Sequence, residues 1–228
     1  MIIGSGLMGN AFKDIDHNDC IFFVSGVSDS RTTNIRHFNR EKKLLLKTLN
    51  ENKNLKKIIY ISTCDIYDSS KKNSLYLKHK LNIENCIKNK SNKWLIFRVS
   101  QVIGSGGNKN NLLFKLCLNI FLNRKFLLYP VFERNLIYID DLKKIILKFL
   151  RSENKIINIA NPKNIKVLQI VNIIEKALKK HAIYETSTKK NVFIIPLDKK
   201  FPYNYFKNKE YYNDKISSFV ANFLKTNL

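Results

Sequence analysis

The sequence predicts an α/β fold with a doubly wound parallel sheet, and three observations carry that expectation. Short apolar runs of strand length alternate with segments of helical period along the 228 residues. A glycine-rich turn follows the first run. Small or hydroxyl-bearing residues follow the next two, at the strand ends where a parallel sheet leaves room for a ligand. With 44% hydrophobic residues the chain can bury the core of one compact domain, or of one domain with a small appended lobe.

Met1, Ile2 and Ile3 read as the first strand. Gly4-Ser5-Gly6-Leu7-Met8-Gly9 follows, a G-x-G-x-x-G run between a strand and a helix from Leu7 to about Lys13. Gly4 permits the tight turn, Gly6 lets a pyrophosphate approach the backbone, and Gly9 lets helix and strand pack closely. The run uses three of the chain's seven glycines, which favours a dinucleotide site over a mere strand-to-helix turn. Cys20 to Gly26 is a second buried strand ending in small residues. A helix from Glu41 to about Glu51 leads to the next strand.

That strand, Ile58 to Ile61, ends in Ser62 and Thr63. After a polar loop, Tyr76 and Lys80 open a helix four residues apart, and so share one face. A cation there favours tyrosinate over phenol. With the Thr63 hydroxyl, this makes a device for moving a proton to or from a carbonyl or alcohol oxygen. Taken alone, Tyr-x-x-x-Lys is no more than a tyrosine stacked on a lysine stem; its place after a Ser-Thr strand end gives it weight.

Trp94 to Val99 is a fourth strand, followed by Ser100 to Gly104 and a flexible loop, Ser105-Gly106-Gly107-Asn108. Asn111 to Asn123 is an amphipathic helix, and Phe126 to Tyr129 a short strand. Arg134 precedes an apolar stretch ending at Asp140 and Asp141, read as capping a helix over Leu142 to Leu150. Ile156 to Ala160 is a further strand and Val167 to Lys180 a helix. A strand over Asn191 to Ile195 and a last helix from about Asp214 close the chain.

The net charge is +23, which points to nucleic acid or an anionic surface. Yet 34 of the 41 basic residues are Lys, and they are scattered rather than gathered around an aromatic platform. With abundant Asn, Ile and Leu, this is how an AT-rich genome writes any surface. A nucleic-acid partner is therefore not expected, although the charge helps attract phosphorylated substrates. Cys20, Cys64, Cys86 and Cys117 lack metal-ligand spacing and read as reduced thiols of a cytoplasmic protein. No metal site, signal peptide or membrane span is expected.

In this order the motifs resemble the extended branch of the short-chain dehydrogenase/reductase superfamily, the NAD-dependent epimerase/dehydratase family. The resemblance rests on Gly4 to Gly9, on Tyr60 to Tyr67 with its Ser-Thr strand end, and on Tyr76 to Lys80. It rests also on Phe97 to Gly104, on Arg134 to Asp141 and on Asn158 to Pro162. It implies a Rossmann-like dinucleotide domain over 1–104 and 134–162, with a small C-terminal substrate lobe from 105–133 and 163–228. It implies NAD or NADP as cofactor, and Thr63, Tyr76 and Lys80 as catalytic residues. Lys80 would hold the nicotinamide ribose and lower the Tyr76 pKa. Gly4, Gly6, Leu7, Met8, Gly9, Ser25, Gly26, Ser62, Val99 and Ser100 would line the cofactor together with Tyr76 and Lys80. Cys64, Gln101 and Arg134 would touch substrate, the arginine through a sugar-linked diphosphate.

The resemblance further implies a nucleotide-linked sugar as substrate, in surface-polysaccharide (O-antigen-like) biosynthesis. Epimerase, dehydratase and reductase chemistry all stay open, although a dehydratase would carry an acid pair after Thr63 where Cys64 and Asp65 supply one acid. A homodimer would form through a four-helix bundle of the Glu41 and Tyr76 helices.

The chain departs from the family between Gly9 and Cys20. Family members place two strands there, carrying the residue that reads the adenosine ribose. Either those strands are missing, or Cys20 to Gly26 is the second strand and Asp29 or Arg31 reads the ribose. The shortening motivates an alternative function as a cofactor-impaired binding or regulatory protein; the charge motivates RNA or polyanion binding on the same fold.

Overall fold

The computed structural model describes residues 1–15, 19–52, 56–104, 106–107, 109–191 and 193–227. Ser105 and Asn108 of the expected loop, and Val192 of the expected tail strand, lie outside the described residues. In chain order the elements are β1 (Ile2–Ile3), α1 (Leu7–Phe12), β2 (Cys20–Phe23), α2 (Ile35–Glu51), β3 (Lys57–Thr63) and α3 (Leu75–Lys90). Then come β4 (Trp94–Val99), β5 (Gln101–Ile103), α4 (Leu112–Phe121), β6 (Phe126–Leu128), β7 (Glu133–Arg134), β8 (Leu136–Tyr138) and α5 (Ile139–Phe149). The chain ends with β9 (Lys155–Ile159), β10 (Ile165–Lys166), α6 (Val167–Leu178), β11 (Tyr184–Thr186) and α7 (Tyr211–Asn227).

β1, β2, β3, β4 and β9 form one sheet in that spatial order, every pair parallel. Alternate residues of its strands face opposite ways, because a strand has a period of two. Ile21, Phe23, Ile58, Tyr60 and Ile96 meet Leu45 and Leu49 of α2 and Ile83 and Ile87 of α3. On the other face Phe22, Ile59, Leu95 and Phe97 meet Phe12 of α1 and Leu142, Ile145 and Ile146 of α5. A third core joins α4, α6 and α7 through Leu113, Leu116, Ile170, Ile174, Ile216 and Phe219.

The position of β2 between β1 and β3 resolves the open question near the N-terminus. Had Cys20 to Gly26 been the second strand of the usual order, it would lie on the far side of β1 from β3. Instead β1 is the edge of the sheet among the described residues. Among the described residues the two strands that would lie beyond it are not found. The shortening leaves a topological trace: β1, β2 and β3 step across the sheet in one direction, yet α1 and α2 lie on opposite faces. The two crossovers have opposite hands, although roughly 98% of such connections are right-handed.

Several boundaries moved for local physical reasons. α2 starts at Ile35 rather than Glu41, because the Asn34 side chain accepts from the Arg36 N–H at 3.0 Å and caps it. Its buried stripe of Phe38, Glu41, Leu45 and Thr48 has a charged member, which disguised the helical period. α5 starts at Ile139, so Asp140 and Asp141 lie in its first turn and neither caps it. Asp141 is buried and accepts from the Tyr211 hydroxyl at 3.0 Å and from Lys215 at 3.2 Å, tying α7 to α5. Among the described residues of Asn191 to Ile195 there is no strand, but a bridge pairs Phe193 with Asp68. Phe201, from the segment assigned to the lobe, is buried in the sheet's own core with Ile145 and Ile146.

Candidate active site

The glycine turn is built for close approach. Gly4 has φ +132°, and a Cβ there would sit 2.7–2.8 Å from the backbone of Val24 and Ser25. A Cβ on Gly9 would meet the Gly4 carbonyl oxygen at 2.1 Å, so α1 can lie against β1 only with glycine in that place. Gly6 has no heavy atom of the described residues within 4 Å of its Cβ position, leaving open space among them at the start of α1. Leu7 and Met8 are partly buried and pack against the sheet core. Ser25 stands beside Gly4 and accepts from Arg40 at 3.2 Å through its hydroxyl and 2.9 Å through its carbonyl.

Thr63, Tyr76 and Lys80 converge at the C-terminal end of β3. Ser74 caps α3 by accepting from the Leu77 N–H at 3.1 Å, which fixes where the helix begins and places Tyr76 in its first turn. Thr63 is the last residue of β3, and its hydroxyl also caps the following turn by accepting from the Asp65 N–H at 3.0 Å. Tyr76 is 8% exposed and Lys80 3%. Burial pushes the Tyr76 phenol well above its ordinary range, and the carboxylates of Asp65 and Glu41 push it further, against a smaller opposing pull from Thr63.

Lys80 is held by a partner that motif reading missed. Its ammonium donates to Glu41 Oε1 at 3.1 Å and to the Tyr60 hydroxyl at 2.9 Å. Glu41 is fully buried. It also accepts from the Tyr60 hydroxyl at 2.8 Å and the Val27 N–H at 2.7 Å, and its Oε2 meets His79 Nε2 at 2.9 Å. Burial raises the Glu41 carboxyl, but Lys80, His79, Val27 and Tyr60 outweigh it and hold the group down at about 2. Gly26 makes room for this: a Cβ there would sit 2.6 Å from Lys80 Nζ and 3.0 Å from Glu41 Oε1. Its role is thus to admit the ion pair, alongside any cofactor. The available signal was Glu41 itself, a charge in the middle of an apolar helical stripe.

The other candidates divide. Ser62 turns away from the cleft and donates to Glu84 at 2.6 Å; Glu84 is in turn held by Arg98 at 3.0 and 2.7 Å. Cys64 is fully buried with its thiol on the Arg98 carbonyl at 3.1 Å, and burial raises its pKa. Val99 belongs to the sheet core. Ser100, just after β4, is 6% exposed with a hydroxyl that has no hydrogen-bond partner among the described residues. Gln101 lies on β5 beside Leu136 of β8 and is part-exposed. Arg134 is already engaged: it pairs with buried Asp68 at 3.5 Å, donates to the Glu133 carbonyl at 2.9 Å and lies over the Phe132 ring. Burial lowers its pKa, while Asp68 and Asp65 oppose the shift.

These residues fit one half of a dinucleotide. The open space at Gly6 suits a pyrophosphate, and the unpartnered Ser100 hydroxyl and the Thr63–Tyr76–Lys80 group suit a nicotinamide riboside. On the adenosine side no strand lies beyond β1 among the described residues.

The family model for the NAD dependent epimerase/dehydratase family matches residues 9–160. The chain belongs to this family. The match begins at the last glycine of the turn and runs through the Tyr76–Lys80 helix to the end of β9. No curated protein matches the chain significantly. Solved structures reproduce the fold at low identity. UDP-glucose 4-epimerase from Thermus thermophilus, in complex with NAD, is 14% identical with a TM-score of 0.72, over 95% of this chain and 81% of that one. RMD from Pseudomonas aeruginosa, complexed with NADPH, is 11% identical with a TM-score of 0.75, over 97% and 98%. dTDP-glucose 4,6-dehydratase from Bacillus anthracis, in complex with NAD, is 17% identical with a TM-score of 0.71, over 96% and 76%. Among the described residues no helix is long and apolar enough to cross a membrane.

Proposed function

We propose that the chain is an NAD(P)-dependent enzyme that epimerises, dehydrates or reduces a nucleotide-linked sugar, with Thr63, Tyr76 and Lys80 as its catalytic residues. The observation that carries this is the meeting of Thr63 and Lys80 on Tyr76 after the end of β3, with Lys80 Nζ 5.8 Å from the Tyr76 ring centre, together with a glycine turn whose middle glycine faces open space among the described residues. The neighbours from Thermus thermophilus and Pseudomonas aeruginosa hold NAD and NADPH, and one from Thermotoga maritima holds UDP-glucose, which supports the same ligand classes here.

When bound, the nicotinamide supplies hydride exchange with a sugar carbon. The chain's own part is to bind, orient and move a proton. Gly4, Gly6 and Gly9 shape the pyrophosphate site, and Ser25, Gly26 and Ser100 line the way to the nicotinamide. Tyr76 gives or takes the proton of the sugar oxygen, and Thr63 holds that oxygen beside it. Arg134 meets the substrate diphosphate once it exchanges Asp68 for it, and Gln101 borders the same space.

The lobe that holds the sugar comprises 105–133 and 163–228. A homodimer would form across the groove of α2 and α3, of about 900 Å³ and lined by Ile35, Phe38, Leu46, Leu75, Ile83 and Cys86. A cytoplasmic setting and a role in surface-polysaccharide synthesis complete the proposal; the four unpaired cysteines support the former.

The test is titration of the purified protein with NADH and NADPH by nicotinamide fluorescence, beside Gly6→Asp. Micromolar binding that the variant loses is expected. Turnover of a nucleotide sugar that Tyr76→Phe abolishes should follow. A folded protein that binds neither cofactor would refute the enzyme and favour a binding or regulatory module, the reading that β1 at the sheet edge motivates.

A further inference from the structure

Beneath the proposed site lies a closed polar cluster of Glu41, Tyr60, His79 and Lys80. Three elements supply it: Glu41 comes from α2, Tyr60 from β3, and His79 and Lys80 from α3. The His79 ring stacks on Phe38 at 4.7 Å, which fixes its edge on the carboxylate. Lys80 therefore commits two of its three N–H donors below the cleft, to Glu41 Oε1 and the Tyr60 hydroxyl.

We propose that Glu41 is a positioning residue that pins Lys80 and cancels its charge, leaving Tyr76 a phenol, so that the site gives a proton to a substrate carbonyl rather than taking one from a hydroxyl. This rests on the Thr63–Tyr76–Lys80 reading and narrows it to reduction of a keto sugar. The motif by itself implies the opposite, since a free ammonium beside a phenol stabilises tyrosinate.

The charges around Tyr76 decide between the two. Lys80 Nζ lies 5.8 Å from the Tyr76 ring centre and only 3.1 Å from a carboxylate oxygen, so Tyr76 faces a compensated pair rather than a bare cation. Asp65, from the turn after β3, faces Tyr76 with its own charge held by Lys71 at 2.6 Å. Asp29, from the loop after β2, adds a third carboxylate, and Thr63 is neutral. Val27 and Phe38 cover the ring with apolar surface. Burial, Asp65 and Glu41 all favour the neutral phenol.

In the reductive direction every electron and proton is accounted for. The carbonyl carbon gains the hydride supplied by reduced nicotinamide, the C=O π pair moves onto oxygen, and that oxygen takes the Tyr76 proton. The products are an alcohol and oxidised nicotinamide, and the tyrosinate regains its proton from water.

The deciding experiment is a pH titration of Tyr76 in the cofactor-free protein. Tyrosinate is followed by ultraviolet difference or by ¹³Cζ-tyrosine resonances, and the wild type minus Tyr76→Phe isolates the one phenol. No ionisation of Tyr76 below about pH 10 is expected in the wild type. Glu41→Gln should bring tyrosinate on at least one pH unit lower, and adding Lys80→Met should abolish that shift. Tyr76 ionising near neutral pH in the wild type, or Glu41→Gln leaving the onset unmoved, would overturn the proposal. If Glu41→Gln fails to fold by circular dichroism, the wild-type arm decides alone. The titration needs no cofactor, so it separates the two readings. Loss of NADH binding with a protonated Tyr76 refutes the enzyme. NADH binding with a neutral-range Tyr76 refutes only the role of Glu41.

Discussion

Arg98→Met should strand a charge in the core. Glu84 is 1% exposed, and its two oxygens receive Arg98 at 3.0 and 2.7 Å and Ser62 at 2.6 Å. Methionine keeps much of the arginine stem's volume, so the lost packing is small and the loss is electrostatic. Only the Ser62 hydroxyl then remains on a carboxylate that water does not reach. Breaking one half of a buried ion pair costs about 3–5 kcal/mol, against a total stability on the order of 5–15 kcal/mol. For a chain of this size that lowers the melting temperature by roughly 10 °C. Replacing both partners, as Arg98→Met with Glu84→Leu, leaves no buried charge and should cost less than the single substitution. Equilibrium urea unfolding of both single variants and the double closes the cycle. A cost below about 1 kcal/mol for Arg98→Met, or a double variant worse than the two singles summed, would refute the reasoning.

Two further outcomes follow from the same geometry. The Glu41 carboxyl is held at about 2 in the folded chain, below its value of 4.5 when free. Its stabilisation is therefore complete above the free value and is lost as pH falls through the folded one. That is about 3 kcal/mol lost between roughly pH 5 and 2, and Glu41→Gln should flatten this acid limb in urea unfolding. Gly9→Ala puts a Cβ 2.1 Å from the Gly4 carbonyl oxygen, whereas Gly6→Ala meets nothing among the described residues within 4 Å. The first should cost on the order of 1–3 kcal/mol in thermal melts and the second almost nothing; equal effects would mean the turn adjusts to side chains.

Much of the fold was legible because it depends on near neighbours. Strand-length apolar runs marked the five strands of the central sheet, since a strand buried on both faces needs apolar residues throughout. Gly4 to Gly9 marked where the first helix begins, whereas Asp140 and Asp141, read as a cap, lie inside the first turn of α5. The Asn34 cap was there to be read as well, but the charge of Glu41 interrupted the apolar stripe and hid the first turns of α2. The strand expected over Asn191 to Ile195 is not seen for a different reason: β-propensity needs a partner edge, and among the described residues of that segment only Phe193 finds one, in a bridge to Asp68.

By itself, then, the sequence determined the α/β class, the glycine turn and the spacing that puts Tyr76 and Lys80 on one helical face. Only the tertiary structure decided that β2 lies between β1 and β3, because which strands pair depends on edges and crossovers rather than on local pattern. It alone turned Ser62 onto Glu84, buried Cys64 and gave Arg134 to Asp68. It also brought Glu41 to Lys80 from 39 residues away. The reason is physical: spacing along one helix says which side chains share a face, but the charge that meets a buried ammonium comes from whichever element packs against that face.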